Sequence, residues 1–410
     1  MSDTHHVMTG VAAATTESAP TLRDRLSSHP ASIYYLMLGS TLFLLLLGLI
    51  MVWSSSAIDS IRDTGGSTDL VAKQALFAFL GLGAMFLAAR LPAATVRNLA
   101  WPTMIVALVL LVLVLIPGIG VEVAGQQNWI DLGGPFRLQP SEIAKLALVV
   151  WGADVLTRKY RPVTDWPSLL VPLAPVGGVL VVLVMLEGDF GNAMILGFIV
   201  MGLFFAVGAP LRLFAAFAVI GVSGVLFASV TTPYRMRRWT AFLDPNADEL
   251  DGAWQVTQGT YALGTGGWFG TGIGGSREKW GSLPAAHTDF IFPVIGEELG
   301  LIGTITVLSL FAVLVYAILR LAKESPDRFT RLLAAGTGTW IIIQVITNVG
   351  AALKMLPITG VVLPMVSYGG SSLVPLLVAI GLLLGAAKRH PARLEQHRRD
   401  QATETIESDA

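Results

Sequence analysis

Residues 35–53 read Tyr-Leu-Met-Leu-Gly-Ser-Thr-Leu-Phe-Leu-Leu-Leu-Leu-Gly-Leu-Ile-Met-Val-Trp, without a charged residue. A helix needs about 20 mostly apolar residues to cross a bilayer. The strands of a membrane barrel alternate apolar and polar over about 10 residues. The run from Leu42 to Leu49 does not alternate, so the stretch predicts a membrane-spanning helix. Nine further stretches read the same way, near 69–89, 98–117, 142–157, 168–186, 190–208, 212–230, 289–319, 332–353 and 361–387. The fourth is short, and 289–319 is long enough for a span with an extension. The predicted class is an all-α polytopic membrane protein of about ten transmembrane helices.

Composition agrees. Of 410 residues, 53% are hydrophobic and 13% charged, about half the charge of an average soluble domain. The mean hydropathy is +0.67. These values exclude a soluble enzyme, a disordered chain and a nucleic-acid binder. The formal net charge of -1 selects no charged partner. There is no cysteine, hence no disulfide, thiolate metal site or Cys nucleophile. Five of the six histidines sit in the polar ends of the chain, which disfavours a histidine metal site.

Residues 1–34 are polar and lack the apolar core of a cleavable signal; the first span is expected to be its own insertion signal. Basic residues collect on the cytoplasmic side of spanning helices. With both ends inside, 17 of the 27 Lys and Arg residues fall there. The expected layout is a cytoplasmic tail (1–34), a membrane domain (35–388) and a flexible cytoplasmic end (389–410). The longest polar stretch between spans, 231–287, then lies outside between helices 7 and 8. It carries Trp239, Trp254, Tyr261, Trp268 and Trp280, a composition unsuited to disorder, and is expected to form an ordered cap.

Polar residues in this setting demand a reason. Glu142 and Lys145, three apart, share one helical face, as an orienting ion pair or as the wall of a polar cavity. Glu187 and Asp189 fall in a short turn and are expected to be solvated at the outer surface. The run Tyr-Arg-Met-Arg-Arg (234–238) places Arg235, Arg237 and Arg238 just outside a span, against the usual bias. Arginine forks match phosphate oxygens, so these suit a lipid diphosphate or anionic headgroups. The glycine-rich stretch 264–275 is not a nucleotide loop, since it lacks Gly-Lys-Ser/Thr; a buried re-entrant turn is expected. Asp289 stands where the outer cap meets the eighth span. A carboxylate there borders both water and bilayer, the place for a base acting on a lipid-anchored sugar; a helix cap is the competing reading. Glu297 and Glu298 follow and are expected to bond inside the bundle.

Three groups of residues then resemble one family. They are Trp-Ile-Asp-Leu-Gly (129–133) with Gln-Pro-Ser-Glu (139–142), His-Thr-Asp-Phe-Ile-Phe through Gly-Glu-Glu-Leu-Gly (287–300), and Asn348 with Leu-Pro-Ile-Thr-Gly (356–360) and Ser-Tyr-Gly-Gly-Ser-Ser (367–372). Together they resemble the SEDS proteins (shape, elongation, division, sporulation), polytopic glycosyltransferases of peptidoglycan. Gln-Val-Thr-Gln (255–258) and Ser-Arg-Glu-Lys-Trp (276–280) look more like the cell-division branch, FtsW-type, than the elongation branch, RodA-type.

The resemblance implies polymerisation of lipid II at the outer face of the bacterial cytoplasmic membrane, at the division septum. It assigns Asp289 as general base and gives Glu142 and Lys145 functional weight as substrate-binding residues. It places Asp189, Arg235, Arg237, Arg238, Gln258, Ser276, Lys279, His287, Thr288, Asn348, Ser367 and Ser371 in substrate contact. Expected partners are lipid II and the nascent glycan strand, a class B penicillin-binding transpeptidase (FtsI-like) and other divisome membrane proteins. No organic cofactor is implied; a divalent cation, Mg²⁺ or Mn²⁺, held by carboxylates and diphosphate is an open option. Departures from the family pattern include Asn128, Lys354, Thr359, the Glu187–Asn192 turn, and Pro293, which predicts a kink in the eighth span. A lipid II flippase is the competing class; it predicts inverted repeats, and none is evident.

Overall fold

The apolar runs fold as helices because a backbone in hydrocarbon must satisfy its polar groups within the segment. The computed structural model describes residues 31–64, 68–123, 125–133, 136–158, 166–231, 254–280 and 283–408. In chain order the helices are α1 (Ala31–Thr64), α2 (Asp69–Arg90), α3 (Ala93–Asn98), α4 (Ala100–Val114), α5 (Pro140–Arg158), α6 (Trp166–Leu186), α7 (Phe190–Ala206), α8 (Leu211–Thr231), α9 (Trp254–Thr265), α10 (Ile291–Glu324), α11 (Arg328–Ala352) and α12 (Gly370–Ser408). Leaving out the short α3 and the loop helix α9, ten helices match the ten expected spans. Among the described residues, five meet a full-length membrane-span criterion and three shorter ones are apolar. The protein is a multi-pass α-helical membrane protein.

Packing sorts the helices. Large apolar side chains such as Phe43, Phe79 and Phe205 point outward, as suits lipid contact. The central helix is α5, which touches α4, α6, α7, α11 and α12. It is buried from Pro140 to Leu156 without a break except at Ile143 and Leu146; a helix enclosed on every side reads as a core helix. The most extensive pairing joins α2 and α12. There Gly381 and Gly385 leave no room for a Cβ against the carbonyls of Met85 and Ala89, the close approach that small residues four apart permit.

Several expectations need correction. Residues 361–369 do not begin the last span; they form turns, and α12 starts at Gly370. The same helix runs on through Ser408. The break in α10 lies at Gly300 (φ 68°, ψ -166°), not at Pro293, which occupies the first turn where proline is tolerated. The fold also carries an element that the all-α reading missed. Strands β1 (Gly120–Val123), β2 (Gln126–Asp131) and β3 (Arg137–Leu138) form an antiparallel sheet in that order. It caps the bundle between α4 and α5.

Candidate functional site

The site begins with polar residues on α5, α7 and α11. Lys145 is fully buried, and its Nζ lies 2.8 Å from the Glu142 carboxylate. It also donates to Asn192 Oδ1 at 3.0 Å and Gln344 Oε1 at 3.4 Å, and stands 5.2 Å from the Trp340 ring centre. The expected i,i+3 pair exists, and it is the hub of a buried network rather than an isolated bridge.

Glu187 and Asp189 are not solvated. They are 1% and 4% exposed, because the sheet folds over their turn: Gln127 N–H donates to the Glu187 carbonyl. Asp189 caps α7 through Asn192 N–H. Its Oδ2 further accepts from Asn192 Nδ2, Gln139 Nε2 and Asn128 Nδ2 at 2.8, 2.9 and 3.2 Å. Among the described residues neither oxygen of Glu187 has a hydrogen-bond partner. Burial, with Asp189 adding repulsion, pushes its carboxyl up to about 8.

Asp289 immediately precedes the N-cap of α10. The N-cap position itself is Phe290, with no side-chain cap bond. Its side chain is half-buried, in contrast to Glu142, Glu187 and Asp189. Asn348 on α11 donates from Nδ2 to the Asp289 carbonyl at 2.9 Å and to the Val361 carbonyl at 2.8 Å. One turn earlier on the same helix, Gln344 Nε2 donates to the Val362 carbonyl at 2.9 Å. Two amides four residues apart therefore pin consecutive carbonyls of one loop, one reaching back to Lys145 and the other to Asp289.

That loop, 353–369, carries the Leu-Pro-Ile-Thr-Gly motif. Gly360 has φ +73°, and a Cβ added there would stand 3.7 Å from Asp289 Oδ2. A Cβ on Gly191 of α7 would meet the Thr359 carbonyl at 2.6 Å. The motif thus fills the space between Asp289 and the start of α7. Ser367 Oγ accepts from Leu363 N–H at 2.8 Å and shapes the next turn. Ser371 Oγ accepts from Gln139 N–H at 2.7 Å, tying α12 to the residue that also holds Asp189. His287 accepts from Tyr368 N–H through its carbonyl and meets the Tyr368 ring edge-on at 5.7 Å. Thr288 Oγ1 turns back to the Ala285 carbonyl.

Other expected site residues lie apart from this group. Ser276 Oγ bonds Glu297, and Lys279 Nζ lies 2.8 Å from Glu298 Oε1 and 3.1 Å from Ser54 Oγ. They form a second buried cluster that fastens the glycine-rich stretch to α1 and α10. The stretch is mostly exposed rather than buried, with Gly266 and Gly270 backed against α10. Glu297 and Glu298 bond inside the bundle as expected. Gln258 is buried on α9. Arg235, Arg237 and Arg238 lie outside the described residues.

Sequence reasoning named Gln139 and Asn192 only as members of longer stretches and missed Gln344. Amides in otherwise apolar helices were the available signal for the last two. Among the described residues, no three His, Asp or Glu side chains gather to hold a metal ion. Glu142 is committed to Lys145, and Asp189 accepts four N–H donors, so these carboxylates do not fit a protein-built cation cage.

Among the described residues, a helical membrane bundle thus holds a buried hydrogen-bonded polar network and, at the start of α10, a half-buried aspartate. Residues 35–391 match the Cell cycle protein family that joins FtsW, RodA and SpoVE, and the chain belongs to that family. The probable peptidoglycan glycosyltransferase FtsW of Mycobacterium tuberculosis is 38% identical over 364 residues, 88% of this chain and 69% of that protein. Stage V sporulation protein E of Bacillus subtilis is 38% identical over 348 residues, 85% of this chain and 95% of that one. A chain from a peptidoglycan synthase complex, solved for its coordination of polymerization and crosslinking, superposes with TM-score 0.70 at 31% identity, covering 86% and 97% of the two chains. RodA of Thermus thermophilus superposes at 0.65 with 28% identity, covering 87% and 97%.

Proposed function

We propose that the chain is a peptidoglycan glycosyltransferase that polymerises lipid II at the outer face of the cytoplasmic membrane during septal wall synthesis. The observation that carries the reading is the half-buried Asp289, whose backbone carbonyl is held by Asn348 and whose carboxylate faces Gly360, whereas Glu142, Glu187 and Asp189 are buried. A general base must reach both its substrate and a fixed orientation, and Asp289 combines them.

In this reading the 4-hydroxyl oxygen of an acceptor GlcNAc attacks the anomeric carbon of the lipid-linked strand. The hydroxyl proton passes to Asp289. The bond from the anomeric carbon to the diphosphate oxygen breaks, and undecaprenyl diphosphate leaves with its electron pair. Attack from the opposite side converts an α-linked donor into a β-linked glycan. The Lys145 network holds α5, α7 and α11 in register. Arg235, Arg237 and Arg238 are assigned to the diphosphate on their chemistry. The N and C termini are cytoplasmic, and a class B penicillin-binding transpeptidase of the FtsI type is the expected partner within the divisome.

Purified protein mixed with labelled lipid II, alone and with its transpeptidase, tests this. Wild type yields a ladder of glycan products, and Asp289→Asn yields none while still binding lipid II. Normal polymer from that variant would falsify the assignment, and a chain that gives no polymer under any condition points instead to a flippase.

A further inference from the structure

At the other end of α5 stands a second charged group that the proposed reaction does not use. Asp154 lies twelve residues beyond Glu142, about 18 Å along the helix. It is fully buried, and each of its oxygens takes a different arginine: Oδ1 accepts Arg97 Nε at 2.7 Å and Oδ2 accepts Arg158 Nε at 2.7 Å. Both guanidinium groups therefore sit side by side on one carboxylate. We propose that Arg97 and Arg158, aligned by Asp154, bind the phosphodiester of an anionic phospholipid at the end of the bundle opposite Asp289.

Charge is the first argument. Two guanidinium groups against one carboxylate leave a net positive charge held in place. Each arginine spends only its Nε on Asp154, and the remaining N–H donors of each fork have no bond to another described residue. The side chains are 33% and 55% exposed, so an outside anion can reach them. The Arg97 guanidinium also rests 5.9 Å from the Phe329 ring centre.

Depth is the second. Arg97 lies four residues before Trp101, which is exposed on one side and packs edge-on against the buried Trp151 at 5.4 Å. Tryptophans of this kind mark the headgroup level of a bilayer. From Trp101 an exposed apolar strip of Ile105, Val109 and Val112 continues along α4, a surface suited to the acyl chains of the same lipid. A topological signal needs only solvated arginines. Burying a carboxylate to align two of them does more, and the product is a fork pair shaped for phosphate oxygens.

Delipidated protein, titrated with phosphatidylglycerol and read by native mass spectrometry, tests the site. Phosphatidylcholine and inorganic phosphate serve as separate arms. Wild type is expected to retain one phosphatidylglycerol in preference to phosphatidylcholine. Arg158→Gln leaves the Arg97–Asp154 pair intact and is expected to weaken that retention roughly tenfold. Arg158→Lys, which keeps the charge but loses the fork, should fall between. Unchanged retention by Arg158→Gln overturns the proposal. So does equal binding of the two lipids, or inorganic phosphate that binds without phosphatidylglycerol displacing it.

Discussion

The side-chain amide of Asn348 donates to the backbone carbonyl of Asp289 across 2.9 Å, from a different helix. It holds the Val361 carbonyl as well, at 2.8 Å. A residue 59 positions away in sequence thus sets the height of the proposed base and of the loop beneath it.

Asn348→Ala should therefore damage catalysis beyond any loss of folded protein. The two carbonyls lose their donor, at roughly 1–3 kcal/mol for each buried group left unsatisfied. We expect kcat to fall about tenfold or more, since small misplacements of a catalytic group are costly, with KM for lipid II little changed. Asn348→Asp, of the same shape but without the donor when ionised, should behave similarly. A wild-type kcat in either variant removes Asn348 from its positioning role.

Lys145 offers a stability test. Lys145→Ala leaves Glu142 buried and uncompensated, a change that costs about 3–5 kcal/mol in comparable buried pairs. The double variant Glu142→Gln, Lys145→Met should recover much of that loss, because no charge is then stranded. Unfolding in detergent measures both; a double variant no more stable than the single one contradicts the coupling.

Glu187 predicts a pH dependence. Its folded-state value of about 8 lies well above the ordinary 4.5, so the native state binds more protons than the unfolded one between those values. Stability then falls as pH rises from about 4.5 to about 8 and levels off above. In Glu187→Gln that decline should vanish, with a higher melting temperature than wild type at pH 8. Parallel melting curves for the two proteins across this range count against the buried, unpaired carboxyl.

Gly300 is the conformational test. Its φ of 68° with ψ of -166° lies in a region essentially restricted to glycine. A Cβ there would also collide with the Trp268 carbonyl and Gly270 N. Gly300→Ala should cost about 3 kcal/mol or more, whereas Gly83→Ala, in open space on α2, should be nearly neutral. Equal melting temperatures would refute the reading of the α10 break.

The sequence by itself determined the helical class, the ten apolar segments and the Glu142–Lys145 pair, and it marked Asp289 as a candidate base. Each rests on short-range physics: run length against bilayer thickness, a three-residue helical spacing, and a carboxylate at the edge of an apolar run. Tertiary structure decided what those residues meet. The turn at Glu187 reads as solvated from its neighbours, and only the sheet folded over it makes it buried. Pro293 reads as a kink, yet the helix starts too close to it, and the break falls at Gly300 where the glycine-rich stretch packs. Which groups Ser276 and Lys279 meet was likewise not legible in the sequence: they pair with Glu297, Glu298 and Ser54. The links from Lys145 to Gln344 and from Asn348 to Asp289 span 199 and 59 residues. No periodicity encodes such separations; the first exists because α5 packs against α11, and the second because α11 packs against α10, which Asp289 leads into.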